Sequence, residues 1–308
     1  DLFGSKALLY LAAGRLLPKE RVELLHRPRS ASVEDVVWTH DDVPLLDEAR
    51  ALLGAKPRAR KREEDEIRTY GHIVIDEAQD LSPMQLRMLT RRSLNGSVTV
   101  VGDIAQSTGA WAHADWNEIL ALLPSKREPR REELTVGYRI PEPNMALAAR
   151  VLAHAAPDLA PPRSVRQGGR PPRLTRVDPG LPLGPAVAEA VRAELASVGT
   201  GNLAVICPAS LVTLCADALA AEGIDHGLAT ERGLSHQVTV VPVGIVKGLE
   251  LDATVVVDPA GIVDEEAQGM RALYVALTRS TKHLTVVHPG PLPEVLQPVD
   301  LAGAQRAG

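Results

Sequence analysis

The chain has 308 residues, with 34 Lys and Arg against 39 Asp and Glu and a net charge of −5. The length predicts two domains or one large one, and the charge balance excludes a fold-wide basic field for nucleic acid while leaving room for a local groove. Hydrophobic residues at 45% and charged residues at 24% exclude a disordered chain, but one Phe, three Trp and four Tyr leave the core to Leu, Val, Ile and Ala and offer few platforms for stacking bases.

Residues 1–55 read as helical. Leu8, Leu9, Leu11, Leu16 and Leu17 cluster at helical spacing, and Asp42 is an N-cap candidate with Pro44 in the following turn. A basic run at 56–62 meets an acidic run at 63–66; a solvated connector is the simplest reading, contact with nucleic acid or a partner the other. The pattern then changes. Residues 72–75 and 97–101 are short apolar runs flanking a helix at 82–94, which predicts a parallel sheet with helices on its faces. After a polar linker at 125–133, strands at 134–136, 173–177, 203–207, 238–243, 254–258 and 284–288 alternate with helices at 142–155, 185–197, 210–222 and 266–280. Proline clusters at 157–172 and 179–185 mark loops. The expectation is an α/β fold of two parallel-sheet units joined near residue 130.

Cys207 and Cys215 are the only cysteines and neither has a metal-ligand partner at a usual spacing. A disulfide scaffold and a zinc finger are excluded, and a reducing cytoplasm is the expected compartment. Nothing at the N-terminus resembles a signal peptide. The longest uncharged run, 195–216, contains Gly199, Gly201, Asn202 and Pro208 and reads as turns and short elements rather than a membrane span.

The first residues that carry chemistry are Asp76-Glu77-Ala78-Gln79-Asp80, at the carboxyl end of an apolar run. In an open α/β sheet that edge is where ligands bind. A carboxylate there can hold a magnesium ion through its water shell, and its neighbour can polarise an attacking water. Alternatively, Asp76 and Asp80 cap the next helix. The next apolar run ends in Gly102-Asp103-Ile104-Ala105-Gln106-Ser107, where Gly102 allows a tight turn and the neutral Gln106 suits orienting a water or sensing a terminal phosphate. Taken alone, Gln106 reads as a loop glutamine.

These two stretches resemble motifs II and III of superfamily 1 helicases of the UvrD/Rep type. Leu134-Thr-Val-Gly-Tyr138-Arg139-Ile-Pro141 resembles motif IV, Val246-Lys247-Gly248-Leu249-Glu250-Leu251-Asp252 motif V, and Ala272-Leu-Tyr274-Val-Ala-Leu-Thr278-Arg279-Ser280 motif VI. The matches come in family order and span residues 72–282. The lead-in Trp38-Thr-His-Asp-Asp-Val-Pro-Leu-Leu-Asp-Glu-Ala49 is most similar to the actinobacterial HelD group of helicase-IV-like ATPases, which work on RNA polymerase. The resemblance implies two RecA-like units, the first incomplete, behind a helical segment: 1–66 lead-in and connector, 67–128 the end of the first unit, 129–308 the second. It implies ATP and Mg²⁺ as cofactors, RNA polymerase core as partner with DNA as a further candidate, and no membrane. By position, Asp76 binds Mg²⁺, Glu77 activates the hydrolytic water and Gln106 contacts the γ-phosphate region. Arg139 and Arg279 reach the γ-phosphate as planar cationic forks. Glu250 holds the ribose, with Gly248 in the same nucleotide-binding turn, and Trp111 is the nucleic-acid candidate. Outside the resemblance, each Arg reads as a surface salt-bridge residue and Glu250 as an exposed acid after a Lys-Gly turn.

Gly-Lys occurs nowhere, so the Walker A lysine and its neighbouring hydroxyl are missing from this sequence. The expectation is a C-terminal portion of a longer protein, or a chain that has lost its front half, that hydrolyses ATP no faster than background on its own. The family pattern also fails where relatives grip DNA. After Gln106-Ser107, a stacking aromatic is replaced by Gly109 and an Arg by Ala112, leaving Trp111, and the Thr and His that usually open motif V are Pro242 and Gly244. Arg139 and Lys247 lie 108 residues apart, too close for a large accessory domain. These departures favour a motor that remodels or recycles RNA polymerase over the alternative, a DNA helicase that unwinds duplex in repair.

Overall fold

The computed structural model describes residues 3–54, 68–123, 128–229 and 236–297; the charged connector at 56–66 lies outside them. The chain divides into two compact units, Asp1–Glu66 and Ile67–Gly308.

The first unit is helical in its described part. Helix α1 (Lys6–Ala13) is capped by Ser5, whose hydroxyl accepts from the Leu8 amide. Tyr10 of α1 donates to Glu23 of α2 (Lys19–Leu24), and Leu9 and Val22 are the buried apolar residues there. Helix α3 (Asp42–Leu53) begins at the residue expected to cap it. Asp42 instead closes the preceding loop. Its carboxylate accepts from the Thr39 amide and hydroxyl and takes both Nη atoms of Arg27 at 2.8 Å.

In the second unit, β1 (Ile73–Ile75) leads to α4 (Pro83–Arg92) and back to β2 (Val98–Val100), which pairs parallel to β1. Neither Asp76 nor Asp80 caps α4. Ser82 does, in a reciprocal box with Gln85. Helix α5 (Trp116–Ala121) follows, held at its start by Asp115; its six residues are too few to show a period and the sequence reading missed it.

The chain continues through β3 (Val136–Gly137), α6 (Glu142–Ala155) and β4 (Arg163–Ser164), with β3 and β4 parallel neighbours. Next come β5 (Arg173–Arg176), α7 (Leu183–Val198), β6 (Leu203–Cys207), α8 (Val212–Ala221), β7 (Gly227–Leu228) and β8 (Val238–Pro242). The last elements are β9 (Leu251–Val257), α9 (Pro259–Glu265), α10 (Gly269–Leu277) and β10 (Ser280–His288). Six strands form one all-parallel sheet in the order β5-β10-β9-β6-β8-β7.

A parallel sheet covered on both faces needs strands that are apolar throughout. The central strand β6 meets this, buried at all five residues. Ala204 and Ile206 face one core with Val151 and Leu152 of α6 and Leu273 and Leu277 of α10. Leu203, Val205 and Cys207 face the other core with Val187 and Val191 of α7 and Leu219 of α8. Cys207 and Cys215 are both buried and free in that second core.

The helix expected at 266–280 is wrong at both ends. It starts at Gly269, a position where a Cβ would come within 2.0 Å of the Val263 carbonyl oxygen of α9 and only glycine fits. It stops before Ser280, which already pairs with Leu251 of β9. No helix among the described residues is long and apolar enough to cross a membrane.

Candidate functional site

The site grows from the carboxyl ends of β1 and β2. The Ile75 carbonyl accepts from the Val101 amide at 2.8 Å, and the Ala78 amide donates back to Val101 at 3.1 Å, so the two strand ends are tied as they leave the sheet. The bend between them falls on Glu77, at φ 51° and ψ 39°. That left-handed conformation costs a non-glycine residue about 1 kcal/mol or more, and such strain collects at functional positions. The Asp76 carboxylate accepts from the Glu77 amide at 2.9 Å.

What holds Glu77 there is Gln79, a fully buried side chain. Its Nε2 donates to Glu77 Oε2 at 2.6 Å, and its Oε1 accepts from the Asp103 amide at 3.0 Å. One side chain thus links the acidic motif to the next strand end. Gly102 makes this possible by its size: a Cβ would lie 2.2 Å from Gln79 Oε1. Its φ is not positive, so the tight turn expected of Gly102 is not the reason for the glycine.

Gln106 closes a short helical turn (Ile104–Gln106) that Asp103 caps. Its Nε2 donates to Asp103 Oδ2 at 2.7 Å, and its Oε1 accepts from Arg279 Nη2 at 3.0 Å. Arg279 follows α10 and is only 5% exposed. Its Nε donates to the Val275 carbonyl, and Nη2 also reaches Thr278 Oγ1. Burial, and then the nearby Arg139 charge, hold its guanidinium below the usual arginine range. The phenol of Tyr274 beside it is raised, chiefly by burial.

Lys247 completes the network. Its ammonium pairs with Asp80, lies 3.4 Å from Glu77 Oε2, and donates to the Gln106 carbonyl at 2.9 Å. The Asp80 carboxyl is raised above the ordinary aspartate range because burial outweighs the lysine opposite it. Its Oδ1 is buried without a partner.

Glu77, Gln106 and Arg279 are therefore joined, with Asp76 beside Glu77. Arg139 and Glu250 lie in a separate pair, at 2.6 Å and about half exposed, so the two residues expected to meet phosphate and ribose meet each other. Gly248 turns the chain between Lys247 and Glu250 at φ 77°, with open space where a Cβ would stand. Trp111 stands apart, 57% exposed on the loop at 107–113. The sequence reading gave no role to Lys247 or Gln79. Both sit inside quoted motifs, and the available signal was a lone cation and a lone amide among apolar and acidic neighbours.

Among solved structures, one match is the C-terminal domain of a possible DNA helicase from Lactobacillus plantarum, at 24% identity and TM-score 0.42, covering 54% of this chain and 96% of that one. Another is the arterivirus nonstructural protein 10 helicase in complex with DNA, at 15% identity and TM-score 0.29, covering 41% of this chain and 31% of that one. No curated protein matches the chain. Residues 39–126, which hold Asp76, Glu77, Gln106 and Trp111, match the model of the UvrD/REP helicase N-terminal domain.

Proposed function

We propose that this chain supplies the hydrolytic and phosphate-sensing edge of an ATP-driven superfamily 1 motor. The observation that carries the reading is the Glu77–Lys247–Gln106–Arg279 network, in which residues from four separate motif-like stretches converge beside a strained acidic residue. The donor set suits a magnesium nucleotide. Among the described residues no group of three or more His, Cys, Asp or Glu is placed to hold a metal unaided. Mg²⁺ takes one or two carboxylates and completes its shell with phosphate and water, and Asp76 is the carboxylate we assign to it.

When bound, the nucleotide brings the phosphoryl group that is cleaved. Asp76 offers a carboxylate for the cation. Glu77, fixed by Gln79, takes a proton from water, with the Lys247 ammonium 3.4 Å away. Arg279 supplies charge toward the transferred group while Gln106 holds its orientation. Arg139 joins on release from Glu250.

The finer reading is that the motor remodels or recycles RNA polymerase. It rests on the positions expected to grip bases: Gly109 has nothing within 4 Å of a Cβ, Pro242 ends β8, and Gly244 lies in the next turn. Base stacking is worth about 1–3 kcal/mol per base, so losing a platform weakens a strand-tracking groove. The second reading, a DNA helicase, draws on the exposed Trp111. Capture of the full natural chain from cell extract, probed for core RNA polymerase, tests the choice. Co-purification with polymerase and weak, strongly salt-dependent binding of oligothymidylate are expected. Tight binding with strand separation and no polymerase would overturn the finer reading in favour of the second.

A further inference from the structure

We infer that Arg271 is a positioning residue for the Trp111 loop, making α10 a rigid link between the phosphate-facing arginine and the exposed aromatic. The inference rests on the motor reading for its purpose but on separate contacts for its geometry.

The loop at 107–113 is closed at its base by one hydroxyl. Ser107 Oγ accepts from the His113 amide at 3.1 Å and donates to the Gln79 carbonyl at 3.0 Å. His113 Nε2 reaches the Leu81 carbonyl at 2.9 Å. Ser107 and His113 are buried, while Trp111 between them is exposed. The carbonyls of the two closing residues both accept from Arg271 Nη1, His113 at 3.2 Å and Ser107 at 3.5 Å.

Arg271 stands in the first turn of α10, where a cation opposes the helix dipole. Its partners among the described residues are these two carbonyls, and no carboxylate pairs with it there. A guanidinium placed against the dipole and spent on two backbone oxygens is placed to hold a loop. Eight residues on, just past the end of α10, Arg279 binds Gln106, the residue immediately before the loop. Helix α10 and the residues that follow it therefore grip this segment twice. Any shift of Arg279 toward phosphate is transmitted to the base of the Trp111 loop.

The test uses the full chain with Trp38→Phe and Trp116→Phe, leaving Trp111 as the sole reporter. Arg271→Ala is expected to raise acrylamide quenching of Trp111 roughly twofold and lower its fluorescence anisotropy, with the far-ultraviolet spectrum unchanged. Arg271→Lys keeps a donor and should restore most of the parental signal, a rescue that a loss of helix packing would not show. Equal quenching and anisotropy in the parent and Arg271→Ala, or equal disturbance in the Ala and Lys variants, would overturn the assignment. Oligothymidylate titration of the same proteins separates the two ideas. No binding by the parent would count against a nucleic-acid role for Trp111 while the quenching result still decides the role of Arg271.

Discussion

Replacing Gly102 by Ala is expected to disturb the site through a side chain rather than through the backbone. The added Cβ would stand 2.2 Å from Gln79 Oε1 and 3.2 Å from both the Ala78 nitrogen and Trp116 Cη2. Gln79 is fully buried and bonded at both ends, so its amide cannot move without breaking contacts. Displacing it costs the bond from the Asp103 amide, about 1 kcal/mol, and the charge-assisted bond to Glu77, about 1.5–3 kcal/mol. The sum, about 2.5–4 kcal/mol, is measurable by urea unfolding. Gln79→Ala removes the same two bonds, so the double variant should cost little more than either single one. The expected coupling is therefore close to one single cost, about 2.5–4 kcal/mol. Additive single costs, or a loss below about 0.5 kcal/mol for Gly102→Ala alone, would refute the view that this glycine exists to admit the glutamine.

Four further outcomes are expected. Gly109→Tyr places a ring in open space, so stability should stay within about 0.5 kcal/mol while affinity for oligothymidylate rises by the ~1–3 kcal/mol of one stacked base, read by fluorescence titration. Lys247→Met should cost about 2 kcal/mol and push the Asp80 carboxyl further up. A carboxyl raised in the folded state binds its proton more tightly than in the unfolded chain, so stability falls as pH rises through the raised range, more steeply in the variant; urea melts across that range check this. Asp42 shows the reverse sign. Hydrogen bonding from Arg27 first, and then from Thr39, holds its carboxyl below the usual range, so its contribution is present above about pH 4 and disappears on acidification. Asp42→Asn should cost about 1–2 kcal/mol and remove that acid dependence from melts of the helical unit. Phosphate release by the 308-residue chain should stay at the buffer rate, and Mg²⁺-dependent turnover lost in Glu77→Gln would contradict this.

The central sheet was legible because parallel strands covered on both faces are strongly apolar: 203–207 is so throughout, and 238–242 is so apart from the buried Thr239. The two-residue strands β4 and β7 were not, since two residues carry no period and are held only by their neighbours. The division between α9 and α10 was hidden because 266–280 keeps a helical apolar pattern; what ends it is contact between Gly269 and the backbone of α9. At the site, residue types were legible and partners were not. Lys247 lies 167 positions from Asp80, and nothing local to Val-Lys-Gly records that an acid waits there. Gly102 marks the same limit: the sequence shows a glycine, and only the fold separates a turn from a close approach.

The partners also rank the cations by what an incoming anion would gain. Lys247 is already balanced by carboxylates, and Arg139 is balanced by Glu250 near solvent, so an anion must compete with an existing charge at either one. Arg279 differs. Its contacts are a carbonyl, a hydroxyl and the neutral amide of Gln106, and among the described residues no carboxylate touches its buried charge. Burial and the like charge of Arg139 both press on the protonated form, which is the condition an anion relieves most strongly. The Gln106–Arg279 bond is also cheap to exchange, because both partners keep their other contacts when it opens. Of the three cations, Arg279 is therefore the one whose charge a neighbouring anion would relieve most, and Gln106 is the residue in contact with it.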